Sequence, residues 1–146
     1  MKRLVPALAA ASAFALTACT STPAVRSTSI TPSSLDPMNP QVSVVVGATG
    51  PYIIVNQEPI VITTKGMSVV TWHLVTKGYE FDKGKGISFD PKPLKGISGQ
   101  VTGCKFVTST EFACNNNNNG KGVHHYNIYL IGPAGPLKVD PSYVND

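Results

Sequence analysis

The chain is poor in helix formers. Beyond residue 18 it contains only four alanines and three glutamates, and no window repeats apolar residues at spacings of three and four, so a helical domain is excluded. Its longest apolar run, Leu4 to Leu16, is thirteen residues, short of the roughly 20 that a spanning helix requires. Charge is also sparse, at 14% of residues with a formal net charge of +4. No lysine and arginine run interleaves with aromatics, which argues against nucleic acid as a partner. Gly-x-Ser-x-Gly and the phosphate-loop spacing are both missing, and the carboxylates Asp82, Asp90, Asp140 and Asp146 sit singly among turn residues. These absences point away from an enzyme, and no cofactor is implied.

What is present begins at the N-terminus. Lys2 and Arg3 precede the apolar run, which ends in small residues at Leu16-Thr17-Ala18-Cys19, the layout of an export signal. These four residues resemble the lipobox of bacterial lipoproteins, a family in which the cysteine is lipidated and becomes the first mature residue. The resemblance implies a signal peptide over 1–18, Cys19 as the lipid-bearing residue, and a membrane partner reached through that N-terminal lipid. Thr20, where an aspartate would retain the protein at the inner membrane in enterobacterial lipoproteins, implies the cell outer membrane, on its periplasmic or surface face. Loss of Lys2 and Arg3 leaves ten basic residues against eight acidic ones, so part of the basicity belongs to the signal.

Cysteine count supports export independently. Three cysteines are odd for a secreted chain, and lipidation of Cys19 removes one from the reckoning. Cys104 and Cys114 then form a pair in an oxidising compartment, where a disulfide is the expectation. Folding the stretch between them about Ser109 sets Cys104 against Cys114, Phe106 against Phe112 and Val107 against Glu111, closing a short hairpin.

Residues 19–41 read as the lipidated cysteine and a tether. Nine hydroxyl residues and four prolines fall between Thr20 and Gln41, too few apolar groups to offset ordering entropy. From 42 to 146 the composition changes to valine, isoleucine, threonine and aromatic runs broken by glycine, proline and asparagine, the signature of short strands. The strands expected are Val42 to Val46, Tyr52 to Val55, Ile60 to Thr64, Ser68 to Val75, Ile87 to Phe89, Gly103 to Val107, Glu111 to Cys114, Val123 to Ile131 and Leu137 to Tyr143. Lys65-Gly66 reads as a hairpin connection. Val70, Trp72 and Leu74 share one face of their strand, with Trp72 the centre of the core. The fold class is all-β: an antiparallel Greek-key β-sandwich.

Strand order and size resemble the cupredoxin-like and immunoglobulin-like sandwiches. The cupredoxin copper set is missing, because Cys114 is followed by asparagines, the next histidine is His124, and no methionine follows Met67. The resemblance therefore carries architecture and no ligands. His73, His124 and His125 remain weak metal candidates, the last two adjacent on a strand and so pointing to opposite faces.

Two stretches read as connections. Lys77 to Gln100 is rich in glycine and lysine and contains Lys-Gly-Ile-Ser twice, at Lys85 to Ser88 and Lys95 to Ser98. A solvated crossing is the favoured reading; contact with phosphate or lipid headgroups is the sharper one. Asn115 to Asn119, with Gly120-Lys121-Gly122 after it, reads as a mobile polar loop. The sum is a lipid-anchored envelope lipoprotein whose domain binds or supports and does not catalyse. A periplasmic copper- or zinc-binding protein, or an assembly subunit meeting an envelope protein through a strand edge, are the alternatives.

Overall fold

The computed structural model describes residues 35–146; the lipobox around Cys19 and the tether upstream of Leu35 lie outside the described residues. Twelve strands and no helix are found among them. The first sheet has the order β2-β1-β4-β9-β8, built from β1 (Gln41–Gly47), β2 (Gly50–Val55), β4 (Ser68–Leu74), β8 (Val101–Thr108) and β9 (Glu111–Asn116). The second is organised on β10 (Gly122–Gly132), the longest strand. Along one edge of β10 run β11 (Gly135–Val139) and β12 (Ser142–Asn145), and β12 is flanked by β3 (Ile60–Ile62). Along its other edge run three short pieces, β5 (Glu80–Phe81), β6 (Ile87–Phe89) and β7 (Lys95–Gly96).

Period-two alternation places the core between the sheets. On β10, His124, Tyr126, Ile128 and Leu130 are buried while their neighbours are not, and on β4 the same holds for Val70, Trp72 and Leu74. Trp72 is fully buried, as its strand pattern predicts. Two pairings are parallel, β1 with β4 and β3 with β12. All the others are antiparallel, as hairpin connections favour.

The structure changes four local readings. Lys65-Gly66 does not close a hairpin, because β4 already has β1 on one edge and β9 on the other, so β3 pairs with β12 in the opposite sheet. Gly66 nonetheless takes the positive φ of 86° that the turn reading requires of it. The last strand is two, separated at Asp140-Pro141, and together they span most of β10. The stretch from Lys77 to Gln100 is not merely a solvated crossing. Eleven residues of β10 present backbone groups that need partners, and β5, β6 and β7 supply them while Phe81 and Ile87 enter the core.

The fourth concerns the β8–β9 hairpin. Phe106 faces Phe112 as the folded register requires, but Glu111 pairs with Thr108, and Val107 is displaced as a bulge. Neither Ser109 nor Thr110 adopts positive φ, so the primed two-residue turn is not used and the ladder absorbs the mismatch. Cys104 and Cys114 are joined in a disulfide across this hairpin, with Cα atoms 4.0 Å apart. Cys114 is buried in the core, and Cys104 packs against it from the edge strand. For so short a loop the chain-entropy model gives about 3 kcal/mol of stabilisation. Replacing both cysteines by alanine should therefore lower the free energy of unfolding in urea by about 3 kcal/mol, read from midpoint and slope together, because the uncrosslinked unfolded chain exposes more surface and steepens the slope.

Candidate functional site

The three histidines occupy three different environments. His73, on the outer face of β4, has Nδ1 3.4 Å from Glu111 Oε1 and Nε2 3.2 Å from Asn39 Oδ1. His125 faces outward from β10, with Nδ1 3.2 Å from Asp140 Oδ1. His124 points inward and is 3% exposed, its ring edge-on to Phe89 at 6.5 Å. Its Nε2 is buried without a hydrogen-bond partner among the described residues. Burial holds the His124 imidazole below its ordinary pKa. His73 thus belongs to the first sheet and the other two to the second. Among the described residues no three His, Cys, Asp or Glu side chains stand together as a metal site.

A polar cluster forms at one end of the sandwich, where the asparagine run lies. Asn116, fully buried, and Asn145, 1% exposed, exchange amide hydrogen bonds: each Nδ2 donates to the other's Oδ1, at 2.9 and 3.1 Å. This pair links the last residue of β9 to the end of β12, and so one sheet to the other. Asn118, 1% exposed, donates its backbone N–H to Asn116 Oδ1 at 3.2 Å and its Nδ2 to the carbonyls of Thr64 at 2.8 Å and Ile62 at 3.3 Å. Its φ is +32°, a conformation that asparagine tolerates better than most residues.

Gln100, also 1% exposed, completes the cluster. Its Oε1 accepts from the N–H of Asn119 at 3.1 Å, its Nε2 donates to Gly120 O, and its backbone carbonyl accepts from Asn117 at 2.8 Å. The expectation of a mobile loop at Asn115 to Asn119 is therefore corrected. At this end the ladders stop: the Ile62 carbonyl still accepts from the backbone N–H of Asp146, at 3.0 Å, but Thr64 lies beyond the last rung, and the Asn118 amide supplies its donor. Composition alone reads a run of asparagines as solvated, and nothing local marks Gln100 or Asn145 as buried. The one available signal was the hydrogen-bonding capacity of asparagine, which is both donor and acceptor.

Outside this clamp lies a groove of about 450 Å³ crossing β7, β10 and β12, with Val123 and Val144 in its floor and Lys95, Lys121 and Asp146 at its rim. Lys121 Nζ lies 2.6 Å from Asp146 Oδ1, and Lys65 Nζ donates to the backbone oxygen of Asp146. The hydrogen bond from Lys121 holds the Asp146 carboxyl below its ordinary pKa and raises the lysine. No protein-family model matches the chain, and no curated protein matches it in sequence. The arrangement itself is therefore the guide. It joins an apolar floor to a lysine rim; in the core behind it, burial raises the hydroxyls of Tyr126 and Tyr143 above the ordinary tyrosine pKa.

Two outcomes follow for this end of the molecule. Asn118→Ala takes from the Thr64 carbonyl its side-chain donor, while Ile62 keeps the Asp146 N–H, and should cost about 1–3 kcal/mol in chemical unfolding. His124 makes stability pH-dependent. The unfolded imidazole takes up a proton at a higher pH than the buried one, so stability is full above the ordinary histidine range and falls as pH drops through it. His124→Phe should flatten that part of the thermal-midpoint profile, whereas an unchanged profile would assign it to other groups.

Proposed function

We propose that this chain is a lipid-anchored cell-envelope lipoprotein of the outer membrane whose β-sandwich serves as a non-enzymatic binding or structural accessory domain. One observation carries the reading. Cys104 and Cys114 are bonded to each other, which leaves Cys19 as the single remaining cysteine, directly after Leu16-Thr17-Ala18. The disulfide fits an oxidising compartment, and the cationic start followed by a short apolar run fits export to one. Lipidation with several acyl chains would exceed the two signals that stable attachment requires.

The polar clamp and the groove support binding over catalysis, since they combine a fixed backbone with lysines and an apolar floor. An envelope-protein partner fits the same surface. The metal-binding reading has less behind it: His73 and His125 each face a single carboxylate, in different sheets.

Cys19→Ala should move the protein from the membrane fraction to the soluble periplasmic fraction, and retention in membranes would sink the anchor. Intact mass of the membrane-purified protein should correspond to a chain starting at Cys19 with added acyl mass. Alkylation should add two groups only after reduction.

A further inference from the structure

The tetrapeptide Lys-Gly-Ile-Ser occurs twice and meets two fates. In the first copy Ile87 is 2% exposed, within β6 and paired with Ile128 of β10. In the second copy Ile97 is 53% exposed. Local sequence does not explain the difference, but the surrounding backbone does. Gly96 and Gly99 bracket Ile97-Ser98 with φ of +96° and +69°, and a Cβ on Gly96 would lie 2.1 Å from the carbonyl oxygen of Lys121. This short loop is packed against β10 at Gly96 and anchored by buried Gln100 just beyond it. Its isoleucine is held by a fixed frame on the surface, with Cδ1 lying against Gly120 and the rest of the side chain in solvent.

The neighbouring loop does the same. Gly66 N–H donates to Asn118 O, and Met67 beside it is 83% exposed. Leu94, whose N–H donates to Val123 O, is 66% exposed. Interleaved with these apolar tips are Lys65, Lys95 and Lys121, against the one side-chain carboxylate of Asp146. Apolar tips among cations are complementary to an anionic phospholipid surface, whose headgroups attract lysine and whose interface accepts isoleucine, leucine and methionine.

We infer that this end of the sandwich, presenting Met67, Leu94 and Ile97 among Lys65, Lys95 and Lys121, rests on an anionic phospholipid bilayer. The inference rests on the lipid-anchored reading for what keeps the domain beside that bilayer. Fifteen residues separate Cys19 from Leu35, and even fully extended the stretch reaches about 55 Å, so the domain stays within about that distance of its anchor. Tethering raises the effective concentration of the surface, which lets a contact of a few side chains be populated.

The test is amide hydrogen exchange on the lipidated full-length mature protein, reconstituted in vesicles containing phosphatidylglycerol and, in parallel, in vesicles of phosphatidylcholine alone. Exchange over residues 65–68 and 94–99 should be roughly fivefold slower in the anionic vesicles, and Met67→Asp with Ile97→Asp should abolish the difference. Equal exchange in the two lipids, protection confined to the opposite end of the sandwich, or a protein partner protecting these loops with no lipid present would each overturn the inference. If the native protein does not associate with vesicles at all, the anchor reading fails separately. Unlipidated Cys19→Ala protein titrated with phosphatidylglycerol vesicles then decides the surface: binding that the double aspartate variant loses supports it, and no binding overturns it.

Discussion

Trp72 and Tyr126 meet across the two sheets, and much of the molecule is placed by the need to bury and satisfy them. Both are fully buried, their ring centroids lie 5.5 Å apart, and Trp72 Nε1 donates to Tyr126 Oη at 3.4 Å. A buried indole N–H without a partner is costly, so β4 and β10 are held in one relation by geometry as well as by area. Phe89 stacks on Tyr126 at 5.3 Å, and Tyr143 stands edge-on to Phe89 at 5.2 Å. These four rings come from β4, β6, β10 and β12. The stretch between Lys77 and Gln100 must therefore return to β10 to deliver Phe89, which explains why a segment rich in glycine and lysine forms strands where its composition reads as solvated.

Alternation solves the middle of a sandwich and leaves its ends unsolved. Where β3, β9 and β12 run out, carbonyls and amides remain that neither the ladder nor, once covered, water can satisfy. Asn116, Asn145 and Gln100 meet this need with side chains that donate and accept at once, and Asn118 with an amide that donates to two carbonyls. Asn116 and Asn145 form a closed reciprocal pair, which is why two amides can be fully buried at little net cost. The same bonds fix the loops carrying Lys65, Lys121 and Ile97, so polar satisfaction inside and surface presentation outside come from one set of residues.

What was legible in the sequence depended on how far away the deciding partner lay. The faces of β4 follow from period two alone, and Trp72 is where that pattern puts it. Cys104 and Cys114 are ten residues apart, and their bond follows from count and proximity. By contrast, Asn118 is decided by Thr64, 54 residues earlier, and Asn116 by Asn145, 29 residues later. The partner of β3 is the last strand of the chain. No local pattern encodes such pairings, and the two copies of Lys-Gly-Ile-Ser make the point within one molecule.

The edges of the sheets bear on how such a domain could meet a partner. Strand addition needs a regular, accessible edge. β8, the long edge of the first sheet, is broken by two register shifts, near Gly103 and at Val107, and Gly103 takes a φ of +59°. β3 is only three residues long. β2 carries Pro51 and faces β11 across a groove lined by Ile53, Val55 and Val139, so side chains and not backbone groups occupy that gap. Each exit for strand pairing is thus shortened, bulged or covered. With the edges closed, what the molecule presents at its ends is side chains, and the end framed by the amide clamp sets exposed apolar tips and lysines on a fixed backbone.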